Sequence, residues 1–179
     1  MNAPVLMPVD VPWMISPSMS SMRATTDEDG DACVSVNVFL LDSVNPRGPL
    51  QDPDNPRVTI TFSSVGWARL TAIDSDGDPA AQIGLHRLSL VGPDASSDDY
   101  LRTLDETWTR DQACPLPGFY EVPDSPWRDA VGIAAKDTHH YVILARSSAL
   151  EVLAENTSWE YVHRESQQAD RRRSTPVDT

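Results

Sequence analysis

Residues 139–153 have the sequence His-His-Tyr-Val-Ile-Leu-Ala-Arg-Ser-Ser-Ala-Leu-Glu-Val-Leu and form the longest apolar stretch of the chain. Residues 142–144 are Val, Ile and Leu in succession, so a strand formed here has no polar face. Such a strand is typical of the interior of a sheet, where both faces are buried. Residues 146–148 supply a polar turn, and residues 149–154 predict the returning strand. The sequence therefore predicts a central β-hairpin beside which the other elements pack.

Three further segments have the composition of strands. Residues 33–41 and 58–63 alternate apolar and polar side chains, and residues 67–73 are rich in β-forming residues. Residues 74–79 contain an Asp-Gly pair, which is a strong hairpin signal. We therefore expect residues 82–91 to pair with residues 67–73 in a second hairpin.

One amphipathic helix is predicted over residues 96–111. Ser96 and Asp99 have the spacing of a capping box, with Asp in place of the usual Glu. Tyr100, Leu104 and Trp108 then recur every fourth residue, so they lie on one face of the helix. That face should pack on the sheet.

The fold class that follows is α+β, a mostly antiparallel sheet of six to eight strands with one amphipathic helix packed on it. We expect a flexible acidic N-terminal arm over residues 1–31, a single α+β domain over 32–164 and a disordered C-terminal tail over 165–179. The expected core consists of Val36, Val38, Ile60, Phe62, Leu70, Leu88, Leu104, Trp108, Val142, Leu144 and Val152.

The composition is strongly acidic. The 179 residues carry 27 Asp and Glu against 14 Lys and Arg, a net charge of −13. A chain of that sign is repelled by phosphate backbones and by anionic membrane surfaces, so direct binding of nucleic acid or membrane is not expected. The N-terminus lacks the pattern of a signal peptide and no stretch is apolar enough to span a bilayer, so we expect a cytoplasmic protein.

The sequence predicts neither a metal site nor a cofactor. Cys33 and Cys114 are expected to be free thiols, because two cysteines cannot form a disulfide framework. The acidic turns at residues 27–31 and 74–78 begin like calcium loops but lack the Gly and the final carboxylate that the loop requires. No familiar catalytic or nucleotide-binding motif is present either.

His139 and His140 are adjacent in the predicted central strand. Neighbouring residues of a strand point to opposite faces, so the two side chains cannot share a metal, and we expect one in the core and one at the surface. Asp137 and His139 would share a face and could act as a general base with its orienting carboxylate. This pair carries the alternative hypothesis of a small hydrolase or metal-dependent enzyme.

Two segments resemble small acidic bacterial immunity-type proteins, which inhibit toxins. One is residues 59–65, Thr-Ile-Thr-Phe-Ser-Ser-Val, and the other is the terminal hairpin, where residues 140–143 are followed by residues 150–154. The resemblance implies a strand-rich body and a protein-binding role, and it assigns a function to no individual residue.

The leading hypothesis is a non-enzymatic protein-binding module, an immunity-like inhibitor of a basic partner such as a toxin. An acidic surface speeds encounter with a cationic protein and favours complementary docking. The remaining alternative is a structural or assembly component of a phage or secretion particle.

A partner is expected to contact the two Pro-rich segments, residues 43–57 and 114–127. Proline stiffens a loop, and an exposed aromatic side chain among charged ones is typical of an interface hot spot. The predicted partner-binding residues are Asp52, Asp54, Tyr120, Glu121, Asp124 and Trp127. Alternatively, the aromatic residues of this set cover the edge of the sheet.

Overall fold

The computed structural model describes residues 4–16, 22–26, 30–40, 57–74, 76, 78–87, 89–91, 95–131 and 137–162. They form eleven strands and three helices. The strands are β1 (Val5–Pro8), β2 (Trp13–Ile15), β3 (Arg23–Thr26), β4 (Ala32–Leu40), β5 (Arg57–Ser63), β6 (Trp67–Ala72), β7 (His86–Arg87), β8 (Phe119–Glu121), β9 (His139–Leu144), β10 (Ser148–Ala154) and β11 (Asn156–Val162). The helices are α1 (Pro79–Gln82), α2 (Ser97–Asp111) and α3 (Pro126–Ala130).

The strands are arranged in two sheets. The first sheet has the order β6-β10-β9-β8-β1-β7. Its adjacent strands pair antiparallel, except that β1 and β7 are parallel. The second has the order β11-β5-β4-β2, with β3 also paired to β4, and is antiparallel throughout. The predicted α+β class with a mainly antiparallel sheet is confirmed, although the strands exceed the predicted six to eight and divide between two sheets.

The central hairpin is confirmed. β9 and β10 pair antiparallel, and β9 lies inside the first sheet between β10 and β8. All of β9 after His139 is buried, as the unbroken apolar sequence predicts.

The two sheets face each other across the larger core. Val34, Ile60 and Phe62 of the second sheet meet Ile143 and Val152 of the first. A smaller core covers the opposite face of the first sheet. There Val142 and Leu144 of β9 pack with Leu6 of β1 and Ala80 of α1. The first sheet is therefore buried on both faces near its centre.

The stretch expected to be a flexible arm contains three short strands. Residues 5–8, 13–15 and 23–26 are strands, and Trp13 is completely buried. The backbone N–H of Ile15 donates to the carbonyl of Pro117, 2.8 Å away. These strands have three or four residues each, too short for periodicity to reveal them.

The predicted second hairpin is wrong. β6 pairs with β10, and residues 79–82, which follow the Asp-Gly pair in sequence, form α1. Asp78 caps this helix by accepting a hydrogen bond from the N–H of Ala80, and Pro79 occupies the first turn, where proline is favoured.

The helix α2 begins where the sequence predicts. Ser96 and Asp99 form the capping box reciprocally, and Leu104 and Trp108 are buried. The other predicted core residues that the structure describes are also buried, except Leu70. The side chain of Leu88 and the predicted tail lie outside the described residues.

Candidate functional site

The predicted partner-binding residues do not form one exposed surface. Asp52 and Asp54 lie outside the described residues. Asp124 is exposed in the turn before α3, and Trp127 is half-buried in α3 itself. Glu121 is half-buried at the end of β8.

Tyr120 is not an exposed anchor, because it is only 1% exposed. The predicted loop contains β8, where Tyr120 pairs with Val142 of β9 on one side and with Pro8 of β1 on the other. Its side chain therefore belongs to the smaller core. Burial raises the pKa of the Tyr120 hydroxyl, and the nearby charge of Arg87 opposes that rise.

His139 and His140 lie on opposite faces of β9, one half-buried and one buried, as predicted. The carboxylate next to His139 is Glu121, whose Oε1 is 2.6 Å from Nδ1 of the histidine. Asp137, the predicted partner, is exposed in the turn before β9.

His140 belongs to a buried polar network that the sequence analysis did not anticipate. Its Nδ1 is 2.8 Å from the hydroxyl of Ser125, and its Nε2 is 3.4 Å from Oε1 of Glu151. Arg69 of β6 donates to both carboxylate oxygens of Glu151, at 2.7 and 2.8 Å. The network thus joins β6, β10, β9 and the start of α3.

Ser125, His140 and Glu151 are the residue types of a hydrolytic triad, and the serine and the acid contact different ring nitrogens. Here, though, the nitrogens are exchanged, since the serine contacts Nδ1 and the acid Nε2. Ser125, however, is fully buried, and its hydroxyl oxygen accepts the N–H of Arg128 as the N-cap of α3. A nucleophile must reach its substrate, and this hydroxyl is closed off. The arrangement therefore stabilises the fold rather than forming an accessible active site.

Glu151 remains ionised within the network. Burial by itself would raise the pKa of its carboxyl, but the adjacent His140 ring and the two hydrogen bonds from Arg69 outweigh burial and hold the pKa below its ordinary value. The bidentate geometry is the strong form of an arginine–carboxylate pair. Arg69 is consequently fixed by a buried anion while half of its side chain reaches solvent.

The network also places Trp127 beside β6. The guanidinium carbon of Arg69 lies 4.9 Å from the centre of the Trp127 ring, within the range of a cation–π contact. The same ring meets His140 edge-on, with 5.2 Å between ring centres. Among the predicted partner-binding residues that the structure describes, Trp127 is thus the one whose contacts connect it to β6.

β6 is the most exposed apolar strand of the described structure. Trp67 is 53% exposed and Leu70 is 64% exposed, the two largest values among the large apolar side chains. The sequence pattern predicts Leu70 in the core, and Leu70 does lie on the face of the sheet that carries the core residue Leu150. β6, however, is the last strand of the sheet, so the opposing sheet leaves Leu70 uncovered.

The outer edge of β6 pairs with no strand among the described residues, and it lacks the usual protection of such an edge. Exposed strand edges commonly carry charged side chains that discourage pairing with another chain. β11, an edge of the second sheet, is polar and carries Glu160. β6 has no acidic residue, and its only charge, on Arg69, is paired with Glu151.

The described residues contain no cluster of three or more His, Cys, Asp or Glu that could hold a metal ion. Cys33 and Cys114 are both free, and burial raises the pKa of the Cys114 thiol to about 12, which leaves it unreactive at neutral pH. Within the part of the chain that is described, no helix is long and apolar enough to cross a membrane.

Comparisons with family models, with curated proteins and with solved structures found no match to this chain.

Proposed function

We propose that this chain is a protein-binding module that captures an extended segment of a partner at the free edge of β6. The observation that carries the proposal is the exposure of Trp67 and Leu70 on an edge strand without acidic side chains. Recognition by strand addition uses such edges, with main-chain hydrogen bonds for affinity and alternate side chains for specificity.

The hydrogen-bonding phase of β6 indicates which groups a partner would meet. The N–H of Ile73 donates to the carbonyl of Ser147 at 3.0 Å. Because hydrogen-bonded and non-hydrogen-bonded pairs alternate along an antiparallel ladder, the odd-numbered residues of β6 are the ones that exchange backbone hydrogen bonds with β10. Ala68, Leu70 and Ala72 then direct their N–H and C=O groups away from β10. An added strand would pair with these three residues.

The side chains of the edge suit an apolar segment. Trp67 shares a sheet face with Leu153, whereas Leu70 shares the opposite face with Leu150. A partner strand would therefore find one large apolar side chain on each face. On the Trp67 face, the Arg69 guanidinium stacked on Trp127 extends the contact surface.

The charge of the chain favours a basic partner. Asp74 lies just after β6 and is exposed. Glu155 is also exposed, and it lies two residues beyond Leu153, the partner of Trp67 in β10. Together with the net charge of −13, these carboxylates would attract a segment that is apolar in the middle and basic at its ends. An immunity-like inhibitor of a basic toxin is a protein of this kind, and we retain it as the specific form of the proposal.

Proline substitution tests strand addition directly. Leu70→Pro removes an N–H that points away from β10, so it should break pairing with a partner while leaving the bonds to β10 in place. Leu70→Ala removes the side chain but keeps the N–H, and Leu101→Ala changes an exposed leucine of α2. The full-length chain and the three variants would be used as bait in extracts of the source cell, with quantitative mass spectrometry and melting curves for each bait.

The proposal would be supported if a basic protein is captured equally by the wild type and by Leu101→Ala. Its capture should be weaker with Leu70→Ala and absent with Leu70→Pro. If the proteins recovered are the same for Leu70→Pro as for the wild type, binding through this edge is excluded.

The enzyme alternative now rests on one pair. His139 and Glu121 are both half-buried, and a histidine held by a carboxylate at 2.6 Å has the geometry of an oriented general base. Turnover of model esters or phosphoesters that is lost in both His139→Ala and Glu121→Gln, but kept in Asp137→Ala, would favour this function over binding.

A further inference from the structure

A cavity of about 440 Å³ lies between α2 and the first sheet, on the face that carries the smaller core. Its walls include Leu104 of α2, Leu144 of β9 and Leu116 of the segment that leads into β8. The volume is within the range of about 300–1,000 Å³ that is typical of small-molecule sites, and such sites are mainly apolar.

A second cavity of about 310 Å³ adjoins the first. The two share Arg87, Leu116 and Tyr120, and the second extends past Leu6 towards Leu90. The two cavities are therefore separated by a wall that includes the Arg87 side chain.

The charge of these walls is opposite to that of the chain. Among the described residues that line the two cavities none is acidic, whereas Arg87 lines both and Arg146 lines the larger one. Arg87 lies 3.8 Å from Asp78, measured between Nη2 and Oδ1, and is also hydrogen-bonded to the Tyr120 hydroxyl at the cavity wall. Arg146 forms no ion pair with any described residue. Two arginines at an apolar cavity are notable in a chain with 27 acidic and 14 basic residues.

The mouth of the larger cavity leaves apolar surface exposed. Tyr100 and Leu101 of α2 line it and are 36% and 49% exposed, although α2 is amphipathic and its remaining apolar residues, Leu104 and Trp108, are buried. An apolar ligand would cover these two side chains and remove their surface from water.

We infer that this cavity binds a small molecule with an apolar body and one carboxylate, such as a medium-chain fatty acid. The apolar walls would hold the body, and Arg87 and Arg146 would together bind the carboxylate through charge-assisted N–H donors, as guanidinium groups do. A single negative charge fits better than a dianion, because each further charge brought into apolar surroundings must be stripped of water.

The test is isothermal titration calorimetry on the full chain with four probes of equal chain length: decanoate, decanol, decyl phosphate and decylammonium. We expect saturable binding with decanoate the tightest. Arg146→Gln and Arg87→Gln should each weaken decanoate binding by about tenfold, the effect of one charge-assisted hydrogen bond, while leaving decanol unchanged. Arg110→Gln, at the far end of α2 and outside both cavities, should bind like the wild type.

A space-filling variant checks the location independently of charge. Leu101→Trp changes an exposed residue at the cavity mouth, so the protein should fold, and it should weaken decanoate and decanol alike. Any one of four results would overturn the inference. The probes could show no saturable binding or equal affinities, decyl phosphate could bind more tightly than decanoate, or decanoate affinity could be unchanged in the two arginine variants and in Leu101→Trp.

Discussion

Glu151 shows how one residue determines the organisation around β6. It lies between Leu150 and Val152 in an otherwise apolar strand, and an isolated buried carboxylate is costly. Arg69 and His140 offset that cost, and the same contacts fix the Arg69 side chain beside Trp127. The acidic residue in an apolar run was the available sequence signal, since a buried acid requires a partner.

The partners themselves could not be read from the sequence. The sequence predicted that His139 and His140 separate to opposite faces, because that follows from the geometry of a single strand. Arg69 and Ser125 come from distant parts of the chain, and only the pairing of β6 with β10 brings Arg69 opposite Glu151. Local patterns give the direction of a side chain but not its neighbour.

Removing Arg69 should destabilise the protein more than removing Glu151. Arg69→Gln leaves an ionised carboxylate in the interior and should lower the free energy of unfolding by about 3 kcal/mol, whereas Glu151→Gln should cost about 1–2 kcal/mol. Urea denaturation measures both, with the exposed Arg102→Gln as control. Equal losses in the two variants would contradict the role assigned to the buried charge.

The same carboxylate should make stability depend on pH. Because the pKa of Glu151 is lower in the folded chain than in the unfolded one, its stabilisation is fully present above the ordinary glutamate pKa of about 4.3 and is lost as pH falls through the lower, folded value. The difference in unfolding free energy between wild type and Glu151→Gln should therefore be constant from pH 7 to about pH 5 and shrink below about pH 4. A difference that grows towards acid would show the opposite shift.

Among the elements, those with long periodic patterns were predicted and those built from short segments were not. β4, β5, β9, β10 and α2 each extend over six or more residues, long enough for a period of two or of 3.6 to be visible. β1, β2 and β8 have three or four residues and adjoin prolines, so their strand character comes from pairing within the fold. The candidate site shows the same limit, because the residues of β6 were predicted to form a strand but its pairing with β10 was not.

β9 should tolerate no charge at its centre. Val142→Asp places an unpaired carboxylate at a position with no solvent exposure, next to Tyr120 of β8, and should cost several kcal/mol, enough to unfold a domain of ordinary stability. Val162→Asp, the same change at the half-buried end of β11, should cost much less. Circular dichroism melting curves of both variants would decide, and a cooperative transition in Val142→Asp would refute the central position of β9.

The N-terminal strands should contribute strongly to stability. Trp13 is completely buried, stacks on Phe119 at 6.2 Å between ring centres and meets Trp159 edge-on at 5.8 Å. Trp13→Ala should lower the free energy of unfolding by about 3–5 kcal/mol, as deletion of a large core side chain does. Trp67→Ala, the same change at an exposed site, should have little effect, and similar losses in both would mean that β2 does not dock as described.

At the scale of the whole molecule, four of the six exposed large apolar side chains among the described residues lie in two places. Trp67 and Leu70 lie on β6, and Tyr100 and Leu101 lie at the cavity beneath α2. Neither β6 nor the described lining of the cavity contains an acidic side chain, although the chain as a whole has a net charge of −13. That net charge repels a second copy of the chain while attracting cationic partners, so the same field that favours binding also protects the open edge.

Self-association at the β6 edge should therefore appear when the net charge is removed. The isoelectric point is about 4.5, and near that pH copies of the chain no longer repel one another. Two β6 strands can then pair antiparallel through Ala68, Leu70 and Ala72, whose N–H and C=O groups point outward, with Leu70 meeting its own copy. Dynamic light scattering between pH 7 and pH 4.5 should show a single small species that becomes larger as the isoelectric point is approached.

Two lysine substitutions separate the edge from the overall charge. Leu70→Lys and Leu101→Lys add the same positive charge at exposed leucines, so they shift the isoelectric point equally. Leu70→Lys should suppress association because it places a charge on the pairing edge, whereas Leu101→Lys should associate like the wild type. If the two variants associate to the same extent, net charge alone governs the behaviour, and β6 is not the surface through which this chain pairs.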